Sequence, residues 1–154
     1  MKKSDLIKIE EKLFSHSLGS KMGHTVKAML KKMAERFSMH DLDLTPEQVY
    51  VLIILNEEKK LILQDLAEIM SKDKSAVFRH IESLEKKHLV ARMTSADDKR
   101  KKVLMLTQKG MKKLNKVKEI QSNISEEITY QVEPKELEIF ENVLQKIYAN
   151  AIKN

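Results

Sequence analysis

The chain has 154 residues, a formal net charge of +6 and no cysteine. This length can bury a sizeable core, and the lack of Cys excludes disulfides, thiolate zinc sites and cysteine catalysis. Only 3 Gly and 2 Pro disfavour a turn-rich β-sandwich or barrel and a glycine-built nucleotide loop. The longest apolar run, residues 49–55, is too short to cross a bilayer, and the early charge at Lys8 does not suit a signal peptide. We therefore expect a cytoplasmic protein.

The positive charge is concentrated in the middle of the chain. Residues 71–113 carry 13 basic and 5 acidic side chains, whereas residues 1–70 are neutral overall and residues 114–154 have a small acidic excess. A concentrated basic block is typical of proteins that bind a polyanion. A solvated charged face is the alternative interpretation, so the pattern inside the block must decide.

The N-terminal third is predicted to be helical. Residues 4–17 have the spacing of a short amphipathic helix, and Gly19 and Gly23 predict a break or kink after it. A second apolar stripe then follows helical spacing at Val26, Met29, Leu30, Met33 and Phe37. This stripe predicts a long helix that must pack against a partner.

A specific helix start follows at Thr45-Pro46-Glu47-Gln48. Thr45 can cap the helix, Pro46 suits its first position and Gln48 can complete a capping box. The helix is predicted to run to about Leu55 and to be apolar nearly all round, which indicates burial.

The basic block contains the pattern of a winged helix. A short helix over 63–70 and a second helix over 73–87 are joined by a tight connection, as in a helix-turn-helix. Two predicted strands, 89–94 and 101–107, follow directly and flank a polar, basic turn. This β-hairpin is the wing.

Two further amphipathic helices are predicted after the wing, separated at Glu133-Pro134. Their apolar stripes, like the stripe near the N-terminus, are larger than the central module can cover. We expect a second copy of the chain to cover them, because helix-turn-helix proteins generally read two-fold-related half-sites. An intramolecular bundle is the alternative. The expected fold is mostly α with a small β-hairpin wing, divided into N-terminal dimerisation helices (1–40), a winged helix-turn-helix (41–107) and C-terminal dimerisation helices (108–154).

Over about residues 17–150 the sequence resembles the MarR family of bacterial transcriptional regulators. The wing carries the resemblance best: Asp98-Lys99-Arg100, then Val103, Leu106-Thr107 and Gly110 are similar to the family's wing signature. Further matching segments are Ser17-Leu18-Gly19, Thr45 to Gln48, Leu66-Ala67-Glu68, Asp73 to Val77 with Arg79, and Leu84 to Lys87. His88 departs from the pattern, since the family usually has Gly there to supply a positive φ. Residues 1–16 lie outside the resemblance.

The resemblance implies a dimeric, sequence-specific DNA-binding regulator of the repressor type. Helix 73–87 would enter the major groove of a palindromic operator, and wing 95–102 the minor groove. The alternative is a winged helix kept as a protein-interaction or scaffold module without specific DNA binding. An enzyme is not expected, because no catalytic motif is present.

The DNA-binding residues are predicted from the chemistry of each side chain. Ser75 and Arg79 suit base edges, Ala76 suits a thymine methyl group, and Arg100 suits a narrow minor groove. Asp98 is expected to orient the wing. The remaining predicted contacts, mostly to phosphate, are Lys72, Lys74, His80, Lys99, Lys101 and Lys102. Two alternatives remain: Arg79 can pair with Glu82 or Asp73, and Phe78 fits a core position better than a DNA contact.

The resemblance also implies a small-molecule effector such as an aromatic acid, with a pocket near His24, Lys27 and Tyr50. Some members of the family hold zinc through His, Glu and Cys. This chain has no Cys and no His-x₃-His pair, so we expect no metal site and no cofactor.

Overall fold

The computed structural model describes residues 8–9, 12–95 and 98–153. Within them the elements follow in the order α1 (Leu18–Met39), α2 (Pro46–Glu57), α3 (Leu63–Ile69), α4 (Lys74–Lys86), β1 (Val90–Thr94), β2 (Lys102–Leu106), α5 (Gln108–Ile128) and α6 (Pro134–Ala151). The predicted fold class, mostly α with one β-hairpin, is confirmed. No helix in these described stretches is long and apolar enough to cross a membrane.

The start of α1 corrects one prediction. The short helix predicted over residues 4–17 is helical at 8–9 and 12–15. Ser4 and Leu6, at the start of that predicted helix, lie outside the described residues. Gly19 and Gly23 do not break the following helix, because α1 runs through both of them. The interruption lies before them, where the Ser17 side chain accepts a hydrogen bond from the backbone N–H of Ser20 at 3.1 Å.

The capping box of α2 is confirmed. Thr45 Oγ1 accepts from the Gln48 N–H at 3.2 Å, and Gln48 Oε1 accepts from the Thr45 N–H at 3.1 Å. Gln48 is buried, and its Nε2 donates to Ser83 Oγ at 2.9 Å. The same side chain therefore caps α2 and connects it to α4, so its buried polar atoms are satisfied.

The core of the winged helix comes from the inner faces of α2, α3 and α4. Val51, Leu52 and Leu66 have no exposed surface. The same holds for the inner face of α4, which consists of Val77, Ile81 and Leu84. The predicted helix-turn-helix packing is confirmed by this burial, which stabilises the fold by roughly 1.5–3 kcal/mol for each large aliphatic side chain.

The wing is a two-stranded antiparallel sheet in which Val90 pairs with Leu106, Arg92 with Leu104 and Thr94 with Lys102. The sheet is attached to the connection between α2 and α3, since the Leu104 N–H donates to the Leu61 carbonyl at 2.8 Å and Leu104 is buried. The predicted hairpin is confirmed, with strands one or two residues shorter than expected.

The chain divides into two compact units, residues 1–120 and 121–154. In the first unit only Phe37 of the α1 stripe is buried, and Val26, Met29 and Leu30 are exposed. In the second unit α6 has no buried residue; its exposed apolar side chains are Ile139, Phe140, Val143, Leu144 and Tyr148. Both helices are therefore present as predicted, with uncovered apolar faces.

Gly110 is required by close packing and not by backbone freedom. It lies in the first turn of α5, where Thr107 Oγ1 accepts from its N–H at 2.9 Å. A Cβ atom at this position would lie 2.0 Å from the Leu89 carbonyl oxygen. Because this clash is with a main-chain atom, no flexible side chain can move aside to relieve it.

We expect Gly110→Ala to lower the free energy of unfolding by about 1–3 kcal/mol, because the wing and α5 must separate to admit the methyl group. Gly23→Ala is the matched control, since nothing lies within 4 Å of its added Cβ. That change should raise stability by roughly 0.5–1 kcal/mol through helix propensity. Urea unfolding followed by circular dichroism measures both; equal effects would contradict the packing argument.

His88 occupies the position where the resemblance predicts a positive φ, and its φ is 59°. A Cβ atom is strained in this left-handed region. We therefore expect His88→Gly to raise the free energy of unfolding by about 0.5–1 kcal/mol. His88→Ala keeps the Cβ and should bring no such gain in the same unfolding experiment; a gain from Ala would attribute the effect to the imidazole instead.

Candidate nucleic-acid interface

The first turn of α4 is presented by its N-cap. Asp73 Oδ1 accepts from the Ala76 N–H at 2.8 Å, which satisfies a free N–H at the helix start. Lys74 and Ser75 are exposed, and Ala76 is half-buried. Just before the helix, Lys72 Nζ lies 3.7 Å from Glu47 Oε1. The pKa of Glu47 is lowered, first by a hydrogen bond from its own backbone N–H and then by the charge of Lys72.

The outer face of α4 is set by burial of the opposite face. Because Val77, Ile81 and Leu84 point inward, Ser75 and Arg79 are exposed. The described residues provide no ion pair between Arg79 and either Glu82 or Asp73. His80 is half-buried. Phe78 is also half-buried and stacks with Arg92, so it belongs neither to the closed core nor to the open face.

The wing tip is organised around Asp98. Its Oδ1 accepts from the Arg100 N–H at 3.0 Å and lies 3.6 Å from Arg100 Nε. The Arg100 side chain is nevertheless 94% exposed. Lys99 and Lys101 are also exposed, and Lys102 Nζ donates to Thr94 Oγ1 at 2.7 Å. Thus the carboxylate holds the turn while the guanidinium extends from it.

A groove of about 320 Å³ runs between the start of α4 and the wing. We call it the basic groove; it is lined by Ile62, Leu63, Gln64, Lys74, Arg92, Arg100, Lys101, Lys102 and Leu104. Five of these side chains are cationic, and none is acidic. Residues 26 positions apart in the sequence, Lys74 and Arg100, thereby line one concave surface with a positive potential.

Two lining residues, Gln64 and Arg92, were not among the predicted site residues. Gln64 is the second residue of the short α3, and nothing in the sequence distinguishes it from an ordinary polar residue. Arg92 did carry a signal, because strand alternation puts it on the same face of the wing as Lys102.

Other lysines of the basic block have structural contacts. Lys87 Nζ pairs with Asp43 Oδ2 at 2.9 Å and lowers the pKa of that carboxyl, mainly by hydrogen bonding. Lys109 Nζ donates to the Lys87 carbonyl at 2.9 Å, which helps to cap the end of α4. Lys113 Nζ donates to the Asp41 carbonyl at 3.2 Å. Lys87 and Lys109 hold the far end of α4, Lys113 holds the segment between α1 and α2, and none of the three lines the basic groove.

The predicted effector residues lie on α1 (His24 and Lys27) and on α2 (Tyr50). His24 Nδ1 lies 2.9 Å from the Ser20 carbonyl within α1, and Tyr50 is 46% exposed on α2. A groove of about 510 Å³ does lie beside the α1–α2 connection. It is lined by Ala34, Phe37, Ser38, Asp41, Leu42, Asp43, Leu44 and Thr45, without His24, Lys27 or Tyr50. In the described part of the chain no group of three or more His, Asp or Glu side chains is arranged to hold a metal ion.

Known proteins match both the winged-helix segment and most of the chain. A family model described as the MarR family matches residues 44–102. The apo crystal structure of wild-type MarR from E. coli is 23% identical, with a TM-score of 0.72 over 85% of this chain and 96% of that one. The transcriptional repressor CouR, bound to a 23-mer DNA duplex, is 21% identical, with a TM-score of 0.78 over 88% and 94%. The S. aureus MepR–DNA complex is 22% identical, with a TM-score of 0.73 over 88% and 96%.

The family resemblance predicted from the wing and helix motifs is confirmed by these matches. Residues 44–102 match the MarR family model, and the chain has the MarR winged-helix fold over most of its length.

Proposed function

We propose that this protein is a transcriptional regulator that binds double-stranded DNA as a homodimer. The observation that carries the proposal is the basic groove, whose lining includes five cationic side chains and no acidic one. Phosphate neutralisation supplies most of the affinity of DNA-binding proteins, and a positive groove between a helix and a wing suits the backbone of a duplex. CouR and MepR, which share this fold, were solved bound to DNA.

Sequence reading is assigned to α4 and its flanks, residues 73–87. Ser75 and Arg79 are exposed on its outer face and would contact base edges in the major groove, with Ala76 against a thymine methyl group. Lys74 would bind phosphate at the helix start, together with Lys72 once it leaves Glu47, and His80 lies on the same side. In this assignment Ser75, Ala76 and Arg79 provide the sequence specificity, and the lysines provide the affinity.

The wing, residues 95–102, is assigned to the minor groove. Arg100 would insert there, because narrow minor grooves have a strong negative potential and its side chain is 94% exposed. Asp98 would orient it, and Lys99, Lys101 and Lys102 would add contacts to the phosphates on either side.

The second copy of the chain is proposed to cover the exposed apolar faces of α1 and α6. Those faces include Val26, Leu30, Phe140 and Tyr148, each more than two-fifths exposed. Apolar stripes of this length are seldom left in water. A dimer would read a palindromic operator, act as a repressor and be released by a small effector such as an aromatic acid.

Binding to DNA should depend strongly on salt concentration. If the dimer neutralises about eight phosphates, its affinity for DNA should fall about 10³–10⁵-fold between 50 and 200 mM salt. Fluorescence anisotropy can measure this with a duplex that the protein enriches from a random-sequence pool. If no duplex is enriched and binding is insensitive to salt while a stable protein partner is found, the interaction-module interpretation replaces this one.

Arg100→Ala should reduce affinity for the enriched duplex at least about 100-fold and lower the salt slope by nearly two, one contact in each half-site. Arg100→Lys keeps the charge but not the planar guanidinium, so it should retain the slope and lose part of the specific affinity. Lys146→Ala on α6 is the control for removal of a positive charge outside the proposed DNA interface. Wild-type affinity in Arg100→Ala would refute the wing assignment.

Arg79→Ala should act differently from Arg100→Ala. A lost base contact costs about 1–3 kcal/mol and relaxes selectivity at one base pair in each half-site. Repeating the enrichment with this variant would show a preference lost at one symmetric pair of positions. An unchanged consensus would mean that Arg79 contacts phosphate only or no DNA at all.

A further inference from the structure

The contacts of Arg92 set it apart from the other cations of the basic groove. We propose that Arg92 is a positioning residue that locks the wing to α4 and does not itself bind phosphate. The inference rests on the proposed DNA-binding function and names the device that gives the wing a fixed direction.

Arg92 contacts α4 through two different groups. Its Nη2 lies 3.0 Å from Glu85 Oε2, and its guanidinium carbon lies 4.9 Å from the centre of the Phe78 ring. Phe78 and Glu85 are seven residues apart, two helical turns, so they lie on one stripe of α4. A single side chain from β1 therefore spans the stripe, with an ion pair at one end and a cation–π contact along it.

The environment of these contacts favours a structural role. The Arg92 and Glu85 side chains are only 32% and 29% exposed, so water screens their attraction less than at an open surface. Arg100 also approaches a carboxylate, but at 3.6 Å and with 94% of its side chain exposed. Glu85 compensates the charge of Arg92, and Phe78 covers its planar face. Few groups of this guanidinium therefore remain to bind a phosphate.

The location of Arg92 along the hairpin explains what the lock does. One strand of the wing, β2, is already held, because Leu104 is buried and hydrogen-bonded to Leu61. Arg92 is the cross-strand partner of Leu104, so its guanidinium attaches β1 to α4 at the same level at which Leu104 attaches β2 to Leu61. Without it only β2 is attached at this level, so the hairpin can twist about that strand, and Arg100 at the tip moves most.

The proposal predicts an effect on specific binding alone. Arg92→Ala and Glu85→Ala should each weaken binding to the enriched duplex at least about tenfold. Affinity for random-sequence DNA of the same length should stay within about threefold, and the salt slope should not change. The double variant should be no weaker than either single variant, because both substitutions break one contact.

Glu82→Ala is the matched control. Glu82 is an exposed acidic residue on the same helix, one turn away from Glu85. This substitution should leave specific binding unchanged or slightly tighter. Arg92→Lys should give an intermediate loss, because an ammonium can keep the ion pair but covers the Phe78 ring poorly.

A phosphate contact by Arg92 would give the opposite pattern. Arg92→Ala would then weaken binding to both DNAs and lower the salt slope by nearly two in the dimer. Glu85→Ala would free a cation and tighten both complexes. Either result would overturn the proposal.

Amide hydrogen exchange of the free protein tests the lock without DNA. Arg92→Ala and Glu85→Ala should speed exchange at the paired amides of β1 and β2, while Glu82→Ala should not. Circular dichroism identifies a variant that fails to fold, and Arg92→Lys then takes its place. If the wild type enriches no duplex, the DNA function fails whatever the exchange shows; if it does enrich one but exchange is unchanged, only the lock fails.

Discussion

Complete burial of one face of α4 is the constraint on which the rest of this structure depends. Val77, Ile81 and Leu84 have no exposed surface, and Gln48 reaches α4 at Ser83 from the capping box of α2. A helix held in this way cannot rotate about its axis without opening the core. Its outer face is therefore fixed towards solvent, and the wing that follows within four residues is directed by the same packing.

The basic block has two different roles once it is folded. Lys87 and Lys109 hold the C-terminal end of α4 through an ion pair and a carbonyl group, and Lys113 binds the Asp41 carbonyl between α1 and α2. Other cations from the start of α4 and from the wing surround the basic groove. Net charge identified the segment as a whole. Only the three-dimensional arrangement divides it into charges with structural contacts and charges that line the basic groove, because both kinds have the same composition.

Local patterns were reliable where the physics is local. The capping box at Thr45, the helical stripes, the strand alternation and the positive φ at His88 depend on near neighbours in the chain, and each is present as predicted. The break expected at Gly19 and Gly23 was wrong, because weak helix propensity at two positions is overcome in a 22-residue helix that Ser17 caps. Gly110 shows the reverse case, since its need arises from the Leu89 carbonyl, which belongs to another part of the fold.

The sequence by itself determined the fold class, the order of the elements, the family resemblance and the segment that carries the positive charge. The resemblance follows from the motifs of the wing and helices, and the other three follow from periodicity, capping and composition, which act within one or two turns of the chain. The tertiary structure alone decided that Arg92 is held by Glu85 and Phe78, that Gln64 lines the basic groove, and that His24, Lys27 and Tyr50 do not line the groove beside α1. The reason is physical: whether a charged or apolar side chain is free depends on which distant face packs against it, and spacing along the chain does not specify that face.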